Sequence, residues 1–286
     1  DIRVNERTRM IAEDLWSMLN KYELQDGKTI VFCVDDIHAM TDLPVDLRES
    51  LAERWRSRAL EVREVMTSVD GTKKLVLEAE DGSLLEAVLI PEERRNTLCV
   101  STQVGCPLAC SFCATGKMGL KRNLVVSEII DQLMRAREIL SDEEAISNVV
   151  FMGMGEPLLN LDAVRESIEI FTDPKGLGMA PRRITVSTSG IVPQIRPLLE
   201  IGPINLAISL HATTDDVRDV LVPLNKRFPL KTLLGALRSE ELISRKRPVF
   251  FEYTLMKDTN DSLEDARRLS RLLAGIPSKV NLIPMN

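Results

Sequence analysis

Six short apolar segments alternate with amphipathic segments from residue 97 onward, and this pattern limits the possible folds of the 286-residue chain more than any other feature. The apolar segments are rich in β-branched residues and span 98–102, 148–152, 183–187, 205–210, 249–255 and 279–284. Helical periodicity marks the segments between them, at 126–140, 161–171, 192–200, 230–243 and 261–274. Such alternation predicts βαβ units around a parallel sheet. We therefore predict an α/β fold with a partial (β/α)6 barrel rather than a closed eight-stranded one.

The residues before the barrel have other patterns and predict two further parts. Two Asp-Gly pairs, at 70–71 and 81–82, each lie between alternating or β-branched runs, which is a strong hairpin signal. We predict a small antiparallel β-sheet over 59–92, preceded by a mostly helical segment over 1–58. The barrel then occupies 93–286.

Composition excludes several classes of protein. Hydrophobic residues make up 44% and charged residues 28%, which is ordinary for a globular chain and argues against disorder. The sequence has no apolar run of about 18 residues, and its N-terminus has no secretory pattern, so we expect a cytoplasmic protein with no membrane partner. The net charge of −6 argues against general polyanion binding. Residues 94–127, however, contain five basic and no acidic residues, which indicates either an anionic substrate such as nucleic acid or a solvated charge run.

Three of the five cysteines lie within eight residues, with the spacing C-x3-C-x2-C. An odd number of clustered cysteines is a poor disulfide framework. On one loop after the first barrel strand, Cys106, Cys110 and Cys113 can bind three irons of an iron–sulfur cube and leave the fourth iron open. Structural zinc is an alternative, but it needs a fourth ligand, and Cys99 and His211 lie at unsuitable spacing. A buried structural triplet is the other alternative.

Polar groups or small residues end three further barrel strands. Gly155 and Glu156 follow the second strand, Ser187 ends the third, and the fourth ends in the Ser-Leu-His sequence of 209–211. Barrel enzymes bind their ligands at the carboxyl ends of the strands. These residues therefore predict a ligand site, although ordinary turn chemistry explains each of them taken alone.

Taken together, these motifs resemble the RlmN family, the radical S-adenosylmethionine (SAM) enzymes that act as dual-specificity RNA (adenine-C2) methyltransferases. The resemblance covers about residues 39–286 and rests on Thr97–Cys106, the cysteine loop, Arg122–Leu124, Met152–Pro157, Ser187–Gly190, Ser209–His211 and Asn281–Pro284. It implies methylation of adenine C2 in 23S rRNA and tRNA, with a [4Fe-4S] cluster and SAM as cofactors. It also implies an electron donor such as flavodoxin or ferredoxin, and a monomer. The Cfr-type enzymes, which methylate adenine C8, are similar, but the Glu-Pro pair at 156–157 is closer to the C2 family.

The resemblance also implies roles for individual residues. Three cysteines would hold the cluster, seven residues would contact SAM, Glu86 would accept a proton, and Cys99 would resolve a protein–RNA adduct through a transient disulfide. The cluster ligands are Cys106, Cys110 and Cys113, and the SAM contacts are Gly155, Glu156, Ser187, Ser209, Leu210, His211 and Asn286. In this family one SAM methylates a cysteine near the C-terminus, and a second is cleaved reductively to a radical that removes hydrogen from that methyl group.

The sequence departs from the family pattern at both ends. The methyl-carrying cysteine is expected beyond Asn286, and none of the five cysteines aligns with it. We therefore expect this chain to bind the cluster and SAM without completing methyl transfer, as a catalytically incomplete cluster- and RNA-binding fragment would. Residues 1–38 do not match the family, and 28–36 resemble a segment of restriction-type DNA helicase subunits. A fused segment and a divergent native domain both explain this difference.

Overall fold

The structure is a computed structural model that describes residues 45, 46, 49, 58–93, 95–141, 144–174 and 177–285. Residues 45, 46 and 49 are helical. The rest of the predicted N-terminal helical segment, including the atypical residues 1–38, lies outside the described residues, as do Arg94 and Asn286. In the described part of the chain, no helix is both long enough and apolar enough to span a bilayer.

A single nine-stranded sheet, in the order β1-β2-β3-β4-β7-β8-β9-β10-β11, forms the centre of the fold. Its first three pairings, from β1 to β4, are antiparallel, and the five pairings from β4 to β11 are parallel. Strands β5 and β6 form a separate antiparallel hairpin. The strands are β1 Leu60–Thr67, β2 Lys73–Ala79, β3 Leu84–Glu92, β4 Arg95–Cys99, β5 Gln103–Gly105, β6 Leu120–Asn123, β7 Ile146–Phe151, β8 Ile184–Thr188, β9 Asn205–Ser209, β10 Val249–Leu255 and β11 Ser278–Pro284.

Helices connect the parallel strands, as the sequence periodicity predicts. They are α1 Ala114–Met118, α2 Val126–Glu138, α3 Leu161–Thr172, α4 Val192–Glu200, α5 Asp215–Leu221, α6 Leu230–Ser239 and α7 Leu263–Leu273, with 3-10 turns at Pro157–Leu159, Pro181–Arg183 and Pro223–Lys226. The predicted α/β class with six parallel strands is therefore confirmed. Sequence periodicity did not predict α1, α5 or the β5–β6 hairpin, because each is too short to show a repeating pattern.

The first parallel strand lies at 95–99, three residues before the predicted 98–102. The reason is local hydrogen bonding at Ser101, whose backbone is paired with a side chain and not with another strand. The Ser101 N–H donates to Gln132 Oε1 at 2.7 Å, and Gln132 Nε2 donates back to the Ser101 carbonyl at 2.9 Å. A buried glutamine on α2 thus satisfies the backbone where the strand ends.

One hydrophobic core extends through the antiparallel and the parallel parts of the sheet. Buried side chains alternate along β2, where Leu75 and Leu77 face inward, as expected for a sheet covered on one face. The parallel strands contribute larger apolar groups, among them Phe151 and Phe251, to the same core. Since β3 pairs with β4, the small sheet predicted for 59–92 shares its hydrogen bonding with the barrel strands.

A buried carboxylate fixes the beginning of β1 to helix α2. Asp131 Oδ2 accepts hydrogen bonds from the N–H groups of Ala59 and Leu60, both at 2.8 Å. Its other oxygen accepts from Arg135 Nε at 3.1 Å, and both side chains are almost fully buried. Burial raises the pKa of Asp131, while the Arg135 charge and the two backbone donors oppose that rise.

We predict that Asp131→Ala lowers the free energy of unfolding by about 3–5 kcal/mol, because it leaves two buried N–H groups and part of a buried guanidinium without partners. Urea denaturation measures this loss. Glu138→Ala is the matched control, since Glu138 also bonds to Arg135 but is partly exposed, and its loss should cost about 1 kcal/mol or less. Equal effects of the two substitutions would contradict the anchoring role of Asp131.

Candidate active site

A cavity of about 270 Å³ opens at the carboxyl ends of the parallel strands. Three cysteines line it, together with polar residues at the ends of β7, β8 and β9 and several apolar side chains. Eight of the predicted site residues therefore surround one space: Cys106, Cys110, Cys113, Gly155, Glu156, Ser187, Ser209 and His211. Phe112, Glu252 and Ile283 are also part of the lining.

The cysteine loop is closed at its base by the β5–β6 hairpin. Gly105 ends β5 with a φ of +78°, and a Cβ atom there would lie 1.8 Å from the carbonyl oxygen of Gly119. The next residue, Cys106, donates its N–H to that same oxygen at 3.0 Å. Only glycine allows both the left-handed backbone and this close approach. The two ends of the loop are thus held together before any ligand binds.

The loop contacts helix α5 on its other side. The Ser111 N–H donates to the Leu221 carbonyl at 3.1 Å, and the Phe112 ring meets His211 edge-on with the ring centres 4.9 Å apart.

Burial raises the pKa of the Cys106 thiol and raises that of Cys110 to about 11, and the neighbouring thiols add to both effects. The three thiols therefore lie close enough to repel one another when ionised.

Glu156 is the buried acid of the cavity. Its Oε2 accepts from the Ser189 N–H at 2.8 Å, and its Oε1 accepts from the Leu158 N–H at 3.2 Å. Burial raises the pKa of this carboxyl, while the hydrogen bonds from Ser189, Thr188 and Leu158 act against the rise. The Glu156 N–H donates to Gln103 Oε1 at 2.9 Å, which connects this loop to the β5–β6 hairpin.

His211 is held in an unusual conformation beside the cavity. Its φ of +57° is rare outside glycine, and Asn260 Nδ2 donates to its carbonyl at 2.7 Å. The Thr254 N–H donates to His211 Nδ1 at 3.1 Å, which in a neutral imidazole places the ring proton on Nε2. Burial, with the nearby Arg218 charge, lowers the pKa of His211 to about 4. The ring is therefore neutral at physiological pH and supplies a donor.

Two charged residues that the sequence analysis did not select belong to this region. Glu252 stands in the middle of the apolar strand β10, lines the cavity, and accepts from Asn281 Nδ2 at 2.8 Å. Arg218 is fully buried on α5 and bonds to carbonyl groups at the ends of two strands. A charge inside an apolar parallel strand is a signal that could have identified Glu252. The acidic, short helix around Arg218 has no such signal.

Comparison with known proteins places this geometry in a family. Residues 100–270 match the model of the radical SAM superfamily. The chain is 49% identical over 265 residues to the dual-specificity RNA methyltransferase RlmN of Jannaschia sp. (strain CCS1), and 48% identical over 274 residues to that of Rhizobium etli. Each alignment covers 88% of this chain and 67% of the relative. A crystal structure of a radical SAM methyltransferase from Sphaerobacter thermophilus superposes with a TM-score of 0.82 at 40% identity, covering 100% of this chain and 84% of that one.

The chain belongs to the RlmN family of radical SAM methyltransferases. It is therefore an enzyme of a family that uses a [4Fe-4S] cluster and SAM. The residues present fit these groups, because three thiols of one loop face a single cavity beside a buried carboxylate. In the part of the chain that the structure describes, no three His, Cys, Asp or Glu side chains converge closely enough to hold one metal ion.

Three other predicted residues of this RlmN-family chain, Leu210, Glu86 and Cys99, do not line the cavity. Leu210 is fully buried, and its carbonyl bonds to Arg218. Glu86 lies on β3 and pairs with Lys74 at 2.9 Å. Cys99 ends β4, and burial raises its pKa to about 12. Asn286 is outside the described residues. The four described cysteines are all free thiols, so the structure gives no support to the predicted disulfide.

Most of the predicted basic stretch over 94–127 is neutralised locally. Arg122 bonds to Asp81 at 2.9 Å and to Glu128 at 2.8 Å, and Lys121 donates to Ser83 Oγ at 2.6 Å while lying 3.8 Å from Asp81. Arg95 pairs with Glu92. The pairs that Arg122 and Lys121 form with Asp81 join the barrel to the β2–β3 turn. The stretch therefore offers less free positive charge than its composition indicates.

We predict that Gly105→Ala abolishes most of the iron loading of the chain, because the added Cβ cannot coexist with the Gly119 carbonyl that closes the loop. Iron and sulfide content per chain after anaerobic reconstitution measures the effect. Gly82→Ala is the control: its φ of +74° is also one that L-residues rarely adopt, but nothing lies within 4 Å of its added Cβ and it lies outside the cysteine loop. Equal loading of the two variants would show that loop closure is not required.

We predict that His211 makes the protein less stable at mildly acidic pH. The folded pKa of about 4 lies below the unfolded value of 6.5, so the unfolded chain binds the extra proton first as the pH falls. This contribution is complete above pH 6.5 and declines toward pH 4, with about 2 kcal/mol lost between pH 7 and pH 5. Urea denaturation at both pH values measures it. His211→Asn should flatten this part of the slope, while His38→Asn, at the only other histidine, should preserve it. A slope unchanged by His211→Asn would contradict the assignment.

Proposed function

We propose that this chain is an RNA methyltransferase that modifies C2 of a specific adenine in 23S rRNA and in tRNA. The observation that carries the proposal is the convergence of three thiols, one buried carboxylate and small hydroxyl groups on a single cavity at the carboxyl ends of parallel strands. The relatives that are 48–49% identical are named dual-specificity RNA methyltransferases, which supports RNA as the substrate. The Glu-Pro pair at 156–157 supports C2 over C8.

The cofactor ligands follow from the chemistry of the lining. Cys106, Cys110 and Cys113 would hold three irons of the cluster as thiolates. Iron must then displace the protons of Cys106 and Cys110, because burial, with repulsion from the neighbouring thiols, raises the pKa of both. Iron loading is therefore coupled to proton release. The fourth iron has no cysteine in this loop and is left for SAM.

Glu156 is placed to receive a cationic group. Its carboxylate already accepts two backbone N–H bonds, which hold it rigidly, and burial strengthens its attraction for an ammonium group. Gly155 beside it, with a φ of +103°, lines the cavity and lets Gln103 pack against the loop, because an added Cβ would lie 2.6 Å from Gln103 Cβ. We propose that Glu156 and Gly155 bind the amino end of SAM. The buried acid would then gain a positive partner.

The hydroxyl and imidazole groups would orient the rest of SAM. Ser187 and Ser209 place their Oγ atoms 3.4 Å apart on neighbouring strands, where they can share hydroxyl groups of a ligand. His211 offers its Nε2 proton, since Nδ1 is occupied by the Thr254 N–H. The Leu210 carbonyl is used within the protein, so Leu210 would act through its position in the backbone. Asn286 is proposed as a further SAM contact on the resemblance alone.

When bound, the cluster and SAM supply a one-electron route to a radical, which the electron-poor C2 of adenine requires. The protein must exclude water from this step, and the apolar lining of buried Phe151 and half-buried Phe112 contributes to that exclusion. The target adenine must leave its base stack to reach such a recessed site. We propose Cys99 as the residue that resolves the adduct by a transient disulfide, and Glu86 as the proton acceptor. The support for both roles is the family resemblance, because neither residue lines the cavity.

The proposal extends to partners and location. Reduction of the cluster needs an electron donor such as flavodoxin or ferredoxin, and we propose that the chain acts as a monomer in the cytoplasm. We assign the methyl-carrying role of the family to none of the five cysteines of this sequence. Cofactor chemistry and RNA methylation must therefore be assayed separately.

We predict that the anaerobically reconstituted chain converts SAM to deoxyadenosine when dithionite is added, since the three thiols and Glu156 are in place. Mass spectrometry follows deoxyadenosine together with 2-methyladenosine and 8-methyladenosine in a large-subunit rRNA fragment and in tRNA. Cys110→Ala should abolish deoxyadenosine formation. Cys33→Ala, at a cysteine outside the predicted cluster, should not change it.

Each product answers a different question. Deoxyadenosine without methyladenosine supports the cofactor site and the expectation that this chain does not complete methyl transfer. Formation of 2-methyladenosine supports the full proposed function and contradicts that expectation. Formation of 8-methyladenosine supports the Cfr-type alternative, and loaded protein that forms no deoxyadenosine would refute the proposed radical function.

A further inference from the structure

Arg218 is a buried cation that, among the described residues, has no carboxylate as a hydrogen-bond partner. Its side chain is 0% exposed, and its four bonds go to three backbone carbonyls and to Asn225 Oδ1. Arg135 is equally buried, but it bonds to Asp131 and Glu138. A buried charge is costly unless it is paired. The position of Arg218 next to the active site therefore needs a reason other than stability.

The guanidinium joins the ends of two strands that carry proposed SAM contacts. Nη2 donates to the carbonyls of Ser189 at 2.8 Å and Ser209 at 3.0 Å, and Nε donates to the Leu210 carbonyl at 3.0 Å. These carbonyls follow β8 and end β9, within two residues of Ser187 and His211. The guanidinium is planar and its donors are fixed, so it can hold three carbonyl oxygens in one arrangement. A lysine ammonium cannot reproduce that arrangement.

The same helix also supports the cysteine loop. Leu221, one turn beyond Arg218 on α5, accepts the Ser111 N–H at 3.1 Å. Cys110 and Phe112 pack against a small apolar cluster formed by Ala212, Leu221, Val222 and Met256. Helix α5 thus contacts both the loop that carries the thiols and the strand ends that face them.

The charge of Arg218 is directed toward the site and not toward solvent. Its nearby carboxylates, Asp215 and Asp219, bond to Nδ2 of Asn225 at 2.9 and 2.7 Å, so the amide stands between them and the guanidinium. Asp215 is exposed to water, which screens its charge. On the inner side, the helix that carries Arg218 contacts the cysteine loop through Leu221 and the apolar cluster beside Cys110. Three thiolates outweigh the positive charge of an iron–sulfur core, and reduction of that core increases the imbalance.

We propose that Arg218 is a positioning residue that fixes the ends of β8 and β9 for SAM binding and supplies the buried positive charge that balances the reduced cluster. Its two contributions are separable, because one depends on the shape of the guanidinium and the other only on its charge. The reduction potential of an iron–sulfur centre follows the net charge around it, and a desolvated cation acts more strongly than an exposed one. The inference rests on the proposed assignment of the three cysteines to the cluster.

Two variants of the cluster-loaded chain test the proposal. Arg218→Gln removes the charge and should disfavour reduction about tenfold, which lowers the midpoint potential by about 59 mV for a one-electron couple. Arg218→Lys keeps the charge and should leave the potential close to that of the wild type. Both should weaken SAM binding about tenfold, because each loses bonds from a charged donor to the strand ends. A redox titration followed by electron paramagnetic resonance and equilibrium dialysis with SAM give the two readouts.

Arg135→Gln is the matched control, since it removes an equally buried arginine far from the cavity lining. It should lower the unfolding temperature without changing the potential or the SAM affinity. An unchanged potential in Arg218→Gln would overturn the charge contribution, and wild-type SAM affinity in Arg218→Lys would overturn the positioning contribution. Equal changes in Arg135→Gln and Arg218→Gln would overturn both.

The experiment still tests the proposal if a variant does not load the cluster or does not fold. If Arg218→Gln keeps the wild-type near-ultraviolet circular dichroism but does not load the cluster, while Arg135→Gln loads it, the requirement for a cation is supported. If Arg218→Gln does not fold, Arg218→Lys decides: weak SAM binding at wild-type potential supports the proposal, and wild-type binding refutes it. Failure of the wild-type chain to load a cluster would count instead against the proposed function.

Discussion

Parallel pairing of six strands, from β4 to β11, places the end of every one of these strands at the same edge of the sheet. The site depends on this constraint, because its residues are more than 100 positions apart in the chain. Cys106 follows the first parallel strand and His211 follows the fourth, yet both line one cavity. The helices between the strands bury the sheet and leave the loops at this edge free to carry polar groups. An RlmN-family chain thus builds its site from short loops on a rigid support.

Much of this arrangement is predictable from sequence because it depends on repeated patterns. The six apolar segments recur with helical segments between them, and β10 lies at the predicted 249–255. Short motifs are also recognisable, because all their residues lie within a few positions of one another. The cysteines from Cys106 to Cys113 and the strand-end Gly155 are examples. Once parallel order is inferred, the convergence of these loops follows from topology. The prediction of the site residues was therefore strongest where local spacing and strand order were both informative.

Other features depend on contacts between distant residues and leave no periodic trace. The β5–β6 hairpin has strands of only three and four residues, and its closure depends on Gly105 meeting Gly119. The sequence alone places Arg218 on the surface of an acidic helix. In the structure its side chain bonds to the carbonyl groups of Ser189 and Ser209, at the ends of two strands. The displacement of the first parallel strand likewise depends on Gln132, which lies 31 positions after Ser101. Such pairings become visible only when the chain is folded.

The closed cysteine loop also bears on the order of events during assembly. All three proposed cluster ligands belong to one loop whose base is fastened by backbone contacts, and none of them belongs to the main hydrophobic core. Small zinc domains differ, since they remain unfolded until the metal arrives. Here the sheet and its helices have a complete apolar interior of their own. We therefore expect cofactor insertion to follow folding of the sheet, and a chain that has lost the cofactor to accept it again.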